Sequence, residues 1–225
     1  MKKLIILVVF AGISITIFGQ TKKGQSGDFF NRNVSFGILT GIGHSAFRVK
    51  ESNWNQTNLK DTFNSLNPSS GLVVILGSEV KCRINNFLAY RQRFLLNFEN
   101  TKLNFDTKKN GQQKLNFENV VIAAPMHFVF QSSYKNRRPF IFLGSTLKLN
   151  LGKEKELEEK FQLNLFDMTA DLGLGVEIKM KKFLIAPELL FSQGLLNINK
   201  NIGTSYSNTI SKLNRRSIIL GIAIR

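Results

Sequence analysis

A two-residue alternation of apolar and polar side chains runs through most of this chain and constrains its fold more than any other feature. In 167–180, Met168, Leu172 and Leu174 fall on one parity, whereas Asp167 and Asp171 fall on the other. A period of two indicates β-strands, because successive side chains of a strand point to opposite faces. The sequence therefore predicts eight strands, at 33–44, 72–83, 87–98, 119–130, 139–151, 167–180, 183–192 and 216–225.

The connections between these segments alternate between long and short. The long ones are 45–71, 99–118, 152–166 and 195–215, and the shorter ones lie around 85–86, at 132–138 and at 181–182. Outer-membrane barrels alternate long extracellular loops with short periplasmic turns. The pattern predicts an all-β fold, an eight-stranded antiparallel up-and-down transmembrane β-barrel with both termini in the periplasm.

A soluble β-sandwich or a lipocalin-like barrel is the alternative, because both also alternate but bury their apolar face. Three features favour the membrane form. Strands of roughly 10 to 13 residues match a tilted bilayer crossing. The polar face is rich in glycine and mixes acids with bases, and long and short connections alternate strictly.

The N-terminal residues predict export. Lys2 and Lys3 precede an apolar run at 4–18, and a polar stretch follows Gly19. This is the layout of a signal peptide, since the run is shorter than the roughly 20 residues of a spanning helix. We interpret 1–19 as a signal peptide, 20–32 as a periplasmic segment and 33–225 as the barrel, located in a Gram-negative outer membrane. A retained anchor is the alternative for the apolar run.

The strongly basic composition bears on partners, because the net charge is +16. Such a charge suits nucleic acid, acidic lipid headgroups or an acidic protein. Export argues against nucleic acid, and the bases are spread over several segments rather than grouped in one stripe. The expected partners are therefore outer-membrane lipid and lipopolysaccharide, together with other proteins.

The polar face predicts a network of charges inside the barrel. An eight-stranded lumen is only wide enough for its own side chains, so its charges have to pair. An ion pathway or a catalytic set is the alternative. The predicted network consists of Glu79, Lys81, Arg83, Arg91, Arg93, Asp167, Asp171, Glu177, Lys179 and Glu188.

Candidate catalytic and metal-ligating residues are few. His44, His127 and Cys82 offer no metal-ligand spacing. Ser45 follows His44, but a nucleophile and its base have to meet in space with an orienting acid, and adjacency in sequence does not provide that. We expect no enzyme activity, no catalytic or metal site and no cofactor.

Several short motifs lie in the second half of the chain. They are 183–195 followed by Asn197, 206–210 with Leu213 and Arg216, Arg138-Pro139-Phe140 ahead of Gly144, Gly173-x-Gly175-x-Glu177, and Ala124-Pro125-Met126. In these motifs the chain resembles the PorT-type outer-membrane barrels. The resemblance implies a component required for type IX protein secretion and gliding motility, without enzyme activity, acting through protein–protein contacts. The alternatives are a stand-alone surface barrel for adhesion or envelope integrity and, third, a lipid-modifying barrel enzyme.

Overall fold

The computed structural model describes residues 33–52, 63–107, 111–132, 137–151 and 161–225. The signal peptide and periplasmic segment predicted within 1–32 lie outside these residues. In the described ranges, no helix is long and apolar enough to cross a membrane. The elements are β1 (Val34–Glu51), β2 (Phe63–Ser69), β3 (Gly71–Arg83), β4 (Leu88–Thr107), β5 (Gly111–Gln131), β6 (Arg137–Asn150), β7 (Gln162–Leu163), β8 (Phe166–Lys179), β9 (Leu184–Gly194), β10 (Asn199–Lys200), α1 (Ser205–Asn208) and β11 (Ile210–Ile224).

Eight of these strands close into a ring in the order β1-β3-β4-β5-β6-β8-β9-β11, and β11 pairs again with β1. Every neighbour in the ring is antiparallel. At the closure, Gly41 lies opposite Gly221 on one side and opposite Ile75 on the other. The predicted all-β, eight-stranded antiparallel up-and-down barrel is confirmed.

The barrel has two different ends. One end carries the three short connections and the strand termini at Val34 and Ile224. We call it the short-turn end. The opposite end, the long-loop end, carries the connections that contain β2, β7, β10 and α1.

The wall is apolar outside and polar inside, the reverse of a soluble protein. Leu174 is 57% exposed and Ile38 is 66% exposed on the outer face, whereas Arg91 and Arg93 are 0% exposed inside. A continuous apolar outer surface is stable only against lipid, and a closed barrel satisfies all of its backbone groups without water. The wall is therefore that of a transmembrane barrel.

Replacing Leu174 by arginine is expected to destabilise the assembled barrel by about 2–4 kcal/mol, because the new charge would face lipid. Urea unfolding in lipid vesicles, read by the heat-dependent gel shift of the folded barrel, measures the loss. Thr169→Ser is the control, since its hydroxyl can still donate to Asp171. Equal stability of the two variants would mean that the faces are reversed.

The alternation of faces alone predicts that Gly173→Ala, on the inward face of β8, is a mild change. The structure shows that it is not a suitable control for Leu174→Arg. A Cβ at Gly173 would lie 2.2 Å from the ring of Phe142 and 2.5 Å from the carbonyl oxygen of Leu189. The ring could turn aside, but the carbonyl belongs to the paired strand β9. The barrel wall therefore requires glycine here.

Strands β4 and β5 extend past their predicted limits, so the predicted long connection at 99–118 is wrong. Strand β4 continues to Thr107, and β5 begins at Gly111. The period of two persists through this region, but Leu103 and Phe105 now point to the inner face, where charges lie further down. The predicted strands ended too early because inward positions were expected to be polar, whereas in this region they are apolar.

The other long connections also contain structure. Strand β1 runs to Glu51, and β2 pairs with the end of β4 to form a three-stranded ribbon with β5. The stretch 195–215, predicted as one long loop, contains β10, α1 and the first residues of β11. Strand β10 pairs with β7, which lies within the predicted connection 152–166.

These additions build an apolar core at the long-loop end, which we call the cap core. The ring centroid of Phe117 lies 5.5 Å from that of Phe47 and 5.7 Å from that of Phe161, both edge to face. The long-loop end is therefore packed like the interior of a soluble domain. The cap core consists of Phe47, Leu66, Leu103, Phe105, Leu115, Phe117, Phe161, Ile198, Ile210 and Leu213.

Candidate functional site: the ion-paired lumen

Two arginines of β4 meet one glutamate of β9 in the middle of the lumen. Glu188 accepts hydrogen bonds from Arg91 Nη1 at 2.8 Å and from Arg93 Nη1 and Nη2 at 2.5 and 2.7 Å. Arg93 Nε also donates to Glu79 at 2.9 Å. Because each guanidinium is fully buried, these charge-assisted bonds replace the water that the ions have lost.

A further carboxylate, Glu177, extends this group toward the short-turn end. Arg225 donates from Nε to Glu79 and from Nη1 to Glu177. Lys81 Nζ donates to Glu177 at 2.5 Å and to Gln131 at 2.6 Å. Ionic contacts therefore join β3, β4, β8, β9 and the end of β11 across the lumen.

Asp171 of β8 is the centre of a hydrogen-bonded group of its own. Its carboxylate accepts from Thr146, from Thr169 Oγ1 at 2.8 Å, and lies 3.1 Å from His127 Nε2. His127 Nδ1 lies 3.2 Å from Arg91, which joins this group to the arginines. We call the residues of these three groups the lumenal network. It consists of Glu79, Lys81, Arg91, Arg93, His127, Gln131, Thr146, Thr169, Asp171, Glu177, Glu188 and Arg225.

A further ionic group lies between the lumenal network and the cap core. Glu99 Oε2 is 3.2 Å from Arg215 Nε, and Glu99 Oε1 is 3.9 Å from Lys148 Nζ. Ser45 Oγ donates to the same carboxylate at 3.5 Å. Arg215 also stacks near Phe47 of the cap core, with 5.8 Å between the guanidinium carbon and the ring centroid.

The structure places the ten predicted lumenal residues in three positions. Glu79, Lys81, Arg91, Arg93, Asp171, Glu177 and Glu188 lie in the lumenal network. Asp167 is buried at the start of β8 and accepts from the backbone of Met168 at 2.7 Å. Arg83 and Lys179 are only half-buried, at the short-turn end.

The structure corrects the prediction that Arg83 belongs to the charge network inside the barrel. Its Nε donates to the carbonyl oxygen of Asn85 at 3.1 Å, and its Nη2 donates to the side chain of Asn86. The strand ends at Arg83, so its long side chain reaches the adjoining turn. Strand alternation assigns a face but gives no information about depth.

Arg225, Glu99 and Arg215 are members of the ionic groups that the sequence prediction omitted. All three stand at odd positions, as do nine of the ten predicted residues, Glu188 being the exception. Extending the alternation into the predicted connections 99–118 and 195–215 would have found Glu99 and Arg215. Arg225 lay inside a predicted strand, on the small-residue face.

The candidate nucleophile pair of the sequence does not form. Ser45 is buried inside the barrel, whereas His44 is exposed on the outer face, as adjacent residues of a strand require. His127 is buried against Asp171 and Phe142. Across the described ranges, no group of three or more His, Cys, Asp or Glu could hold a metal ion.

The arrangement as a whole decides the class of protein. A closed ring with an apolar outer wall encloses ionic groups that are paired across the lumen, and the long-loop end carries its own packed core. These are the properties of barrels of the bacterial outer membrane. The chain is an outer-membrane β-barrel protein. Its inward charges are buried and paired with one another across the lumen.

Matches to known proteins occur among solved structures. No protein-family model matches this barrel, and no curated protein matches it. Among solved structures, OprG from Pseudomonas aeruginosa is 10% identical with a TM-score of 0.45, covering 88% of this chain and 98% of OprG. The N-terminal barrel of OprF from the same organism is 7% identical with a TM-score of 0.41, covering 86% and 97%. Neisserial surface protein A is 12% identical with a TM-score of 0.40, covering 86% and 99%.

Proposed function

We propose that this barrel is a component of type IX protein secretion and gliding motility, and that it acts through protein–protein contacts at its ends. The observation that carries the proposal is the filled interior. The bonds of Glu188 to Arg91 and Arg93 occupy the lumen, and the cap core occupies the long-loop end. A barrel filled in this way acts through its surfaces, because a solute has no route between such side chains.

The long-loop end offers a rigid surface for such contacts. The ribbon of β2, β4 and β5 turns apolar side chains into the cap core and exposes Lys102, Asn116 and Glu118 on its other face. A surface held by a packed core loses little conformational entropy on binding. This rigidity supports a role in recognition.

The resemblance to PorT-type barrels supports the choice of type IX secretion. The Tyr206-Ser207-Asn208 motif has a structural role in this chain, because the Tyr206 ring lies 5.0 Å from that of Phe105 and Ser207 is fully buried. Deleting the segment 195–215 would therefore remove part of the cap. Point changes on the exposed ribbon test a contact role more cleanly.

Deleting the gene is expected to abolish export of type IX cargo and surface motility, and the wild-type gene should restore both. A ribbon variant, Lys102→Glu with Asn116→Arg, is expected to assemble but not to restore export. Thr169→Ser, inside the lumen, is the matched control and should restore it. Cargo in the medium and spreading on agar are the measurements.

Normal export and motility after gene deletion would contradict the secretion role. The stand-alone surface barrel would then be the better interpretation, because the same ribbon could contact host or neighbouring surfaces. Export by the ribbon variant at the wild-type level would contradict only the assignment of the contact to the ribbon.

A further inference from the structure

Four basic residues form a group on the outer face of the two strands that close the barrel. Arg48 and Lys50 lie near the end of β1, and Lys212 and Arg216 lie near the start of β11. All four side chains are exposed and stand on the parity that carries the apolar wall further down. We call them the basic patch.

The register brings these four charges close together. Lys50 lies directly opposite Lys212, and Arg216 lies opposite Ala46, one step below Arg48. Like charges directly opposite each other destabilise a sheet. In the described part of the chain, no carboxylate forms an ion pair with any of the four. Glu51 lies beyond the register shift that follows Lys50 and pairs with Ile210.

The patch lies immediately above the lipid-facing wall. The rows below it on the same two strands pair His44 with Ile218 and Ile42 with Leu220, and the three apolar side chains are exposed. Each such row is about 7 Å higher along the strands than the one before. The step from apolar to basic side chains marks the level at which acyl chains give way to headgroups.

The neighbouring strands β9 and β8 carry apolar side chains on the outer face near this end. The outer face of β8 begins with Phe166 after Leu165, and Leu195 follows β9, all three exposed and apolar. Strand β5 exposes Glu118. On the β9 and β8 side, the positive charge of the patch therefore gives way to apolar side chains.

The edge of the patch is shaped by the chain beyond β9. Asn214 lies between Lys212 and Arg216 on β11, and its amide donates to the carbonyl oxygens of Gly194 at 3.2 Å and Leu196 at 2.7 Å. These bonds hold the chain against β11 and leave Leu196 exposed beside the bases. An anionic group bound there would have apolar contacts on two sides.

We propose that the basic patch binds the phosphorylated glycolipid headgroup of lipopolysaccharide in the outer leaflet. The acyl chains of the same lipid molecule lie on the wall formed by β1 and β11. Arginine can donate two parallel hydrogen bonds to a phosphate, and lysine adds a compact charge. The bound anion would relieve the repulsion between Lys50 and Lys212. An acidic protein segment is the competing ligand, but it would have no use for the apolar wall directly below.

Binding of bisphosphorylated lipid A to the purified full-length barrel, reconstituted in phosphatidylcholine nanodiscs, tests the proposal. A basic side chain near an anionic surface contributes about fivefold to affinity. We expect the patch variant to bind at least about tenfold more weakly than the wild type, since four such contributions overlap. The patch variant carries Arg48→Gln, Lys50→Gln, Lys212→Gln and Arg216→Gln.

A matched variant with the same change in net charge serves as the control. It should bind like the wild type, and both barrels must show the folded gel mobility before they are compared. Wild-type affinity should also fall when the two phosphates of lipid A are removed. The control removes four exposed bases from outside the patch, Arg137→Gln, Lys181→Gln, Lys182→Gln and Lys200→Gln.

Three results would overturn the proposal. They are wild-type affinity in the patch variant, an equal loss in the control variant, and equal binding of dephosphorylated lipid A. Patch-dependent binding of a polyglutamate peptide without any binding of lipid A would assign the surface to an acidic protein instead. If a glutamine patch fails to fold, Lys50→Gln with Lys212→Gln alone should still weaken binding.

Discussion

Replacing Glu188 by glutamine is expected to destabilise the barrel by about 3–5 kcal/mol, because a buried ion pair that loses one partner leaves an uncompensated charge. Here the change affects two arginines. Arg91 and Arg93 both donate to this carboxylate, and neither guanidinium is exposed to solvent. The glutamine amide keeps the shape of the side chain but brings no charge to the bonds.

Urea unfolding of the barrel in lipid vesicles, followed by the gel shift of the folded form, measures this effect. Glu118→Gln is the matched control, because it removes the same charge from an exposed position on β5. It should change stability by less than about 0.5 kcal/mol. Similar unfolding midpoints for the two variants would show that the lumenal network contributes little.

A double variant tests whether Arg93 and Glu188 stabilise the barrel as a pair or independently. Changing Arg93 to methionine together with Glu188→Gln removes a cation along with the anion. We expect the double variant to lose less than the sum of the two single losses, since residues within one network are coupled. Simple additivity would mean that Arg93 and Glu188 stabilise the barrel independently, against the 2.5 and 2.7 Å contacts between them.

Phe117→Ala is expected to open the cap core while the barrel stays assembled. Phe117 is 5% exposed, and removing a buried phenylalanine costs about 3–5 kcal/mol. The loss falls on the cap because the edge-to-face contacts of Phe117 are with Phe47 and Phe161 there. Hydrogen exchange should accelerate in 111–119 and 205–213, whereas amides of β8 and β9 keep their protection.

The control for the cap prediction is Phe36→Ala. This phenylalanine is exposed on the outer wall of β1, near the short-turn end. Its removal should leave exchange in the cap unchanged. Protection of the cap amides in Phe117→Ala at the wild-type level would show that the cap core does not hold the ribbon in place.

The cap also bears on the proposed function. A ribbon that opens in Phe117→Ala should lose its contacts without any change to its exposed residues. Export by that variant would then resemble export by the Lys102→Glu, Asn116→Arg variant. Agreement between the two would indicate that the partner recognises a rigid ribbon.

The sequence by itself determined the strands of the membrane wall and the direction of their side chains. Both follow from a local rule, since adjacent residues of a strand point to opposite faces. This is why Leu174 and Asp171 could be assigned to lipid and lumen before any pairing was known. The same rule placed Glu79, Arg91, Arg93 and Glu188 inside.

Only the tertiary structure decided which charges meet and where the strands end. Arg93 and Glu188 are 95 positions apart in the chain, and their contact depends on the closure and register of the whole ring. The cap was missed for a related reason. Phe105, for example, points inward, where most side chains of the wall are polar. An inward apolar side chain is favourable only if other apolar residues pack against it. In this protein those residues come from the strands that extend past the lumen and from the connections between them. That core is assembled from residues as distant as Phe47 and Leu213, so no local pattern predicts it.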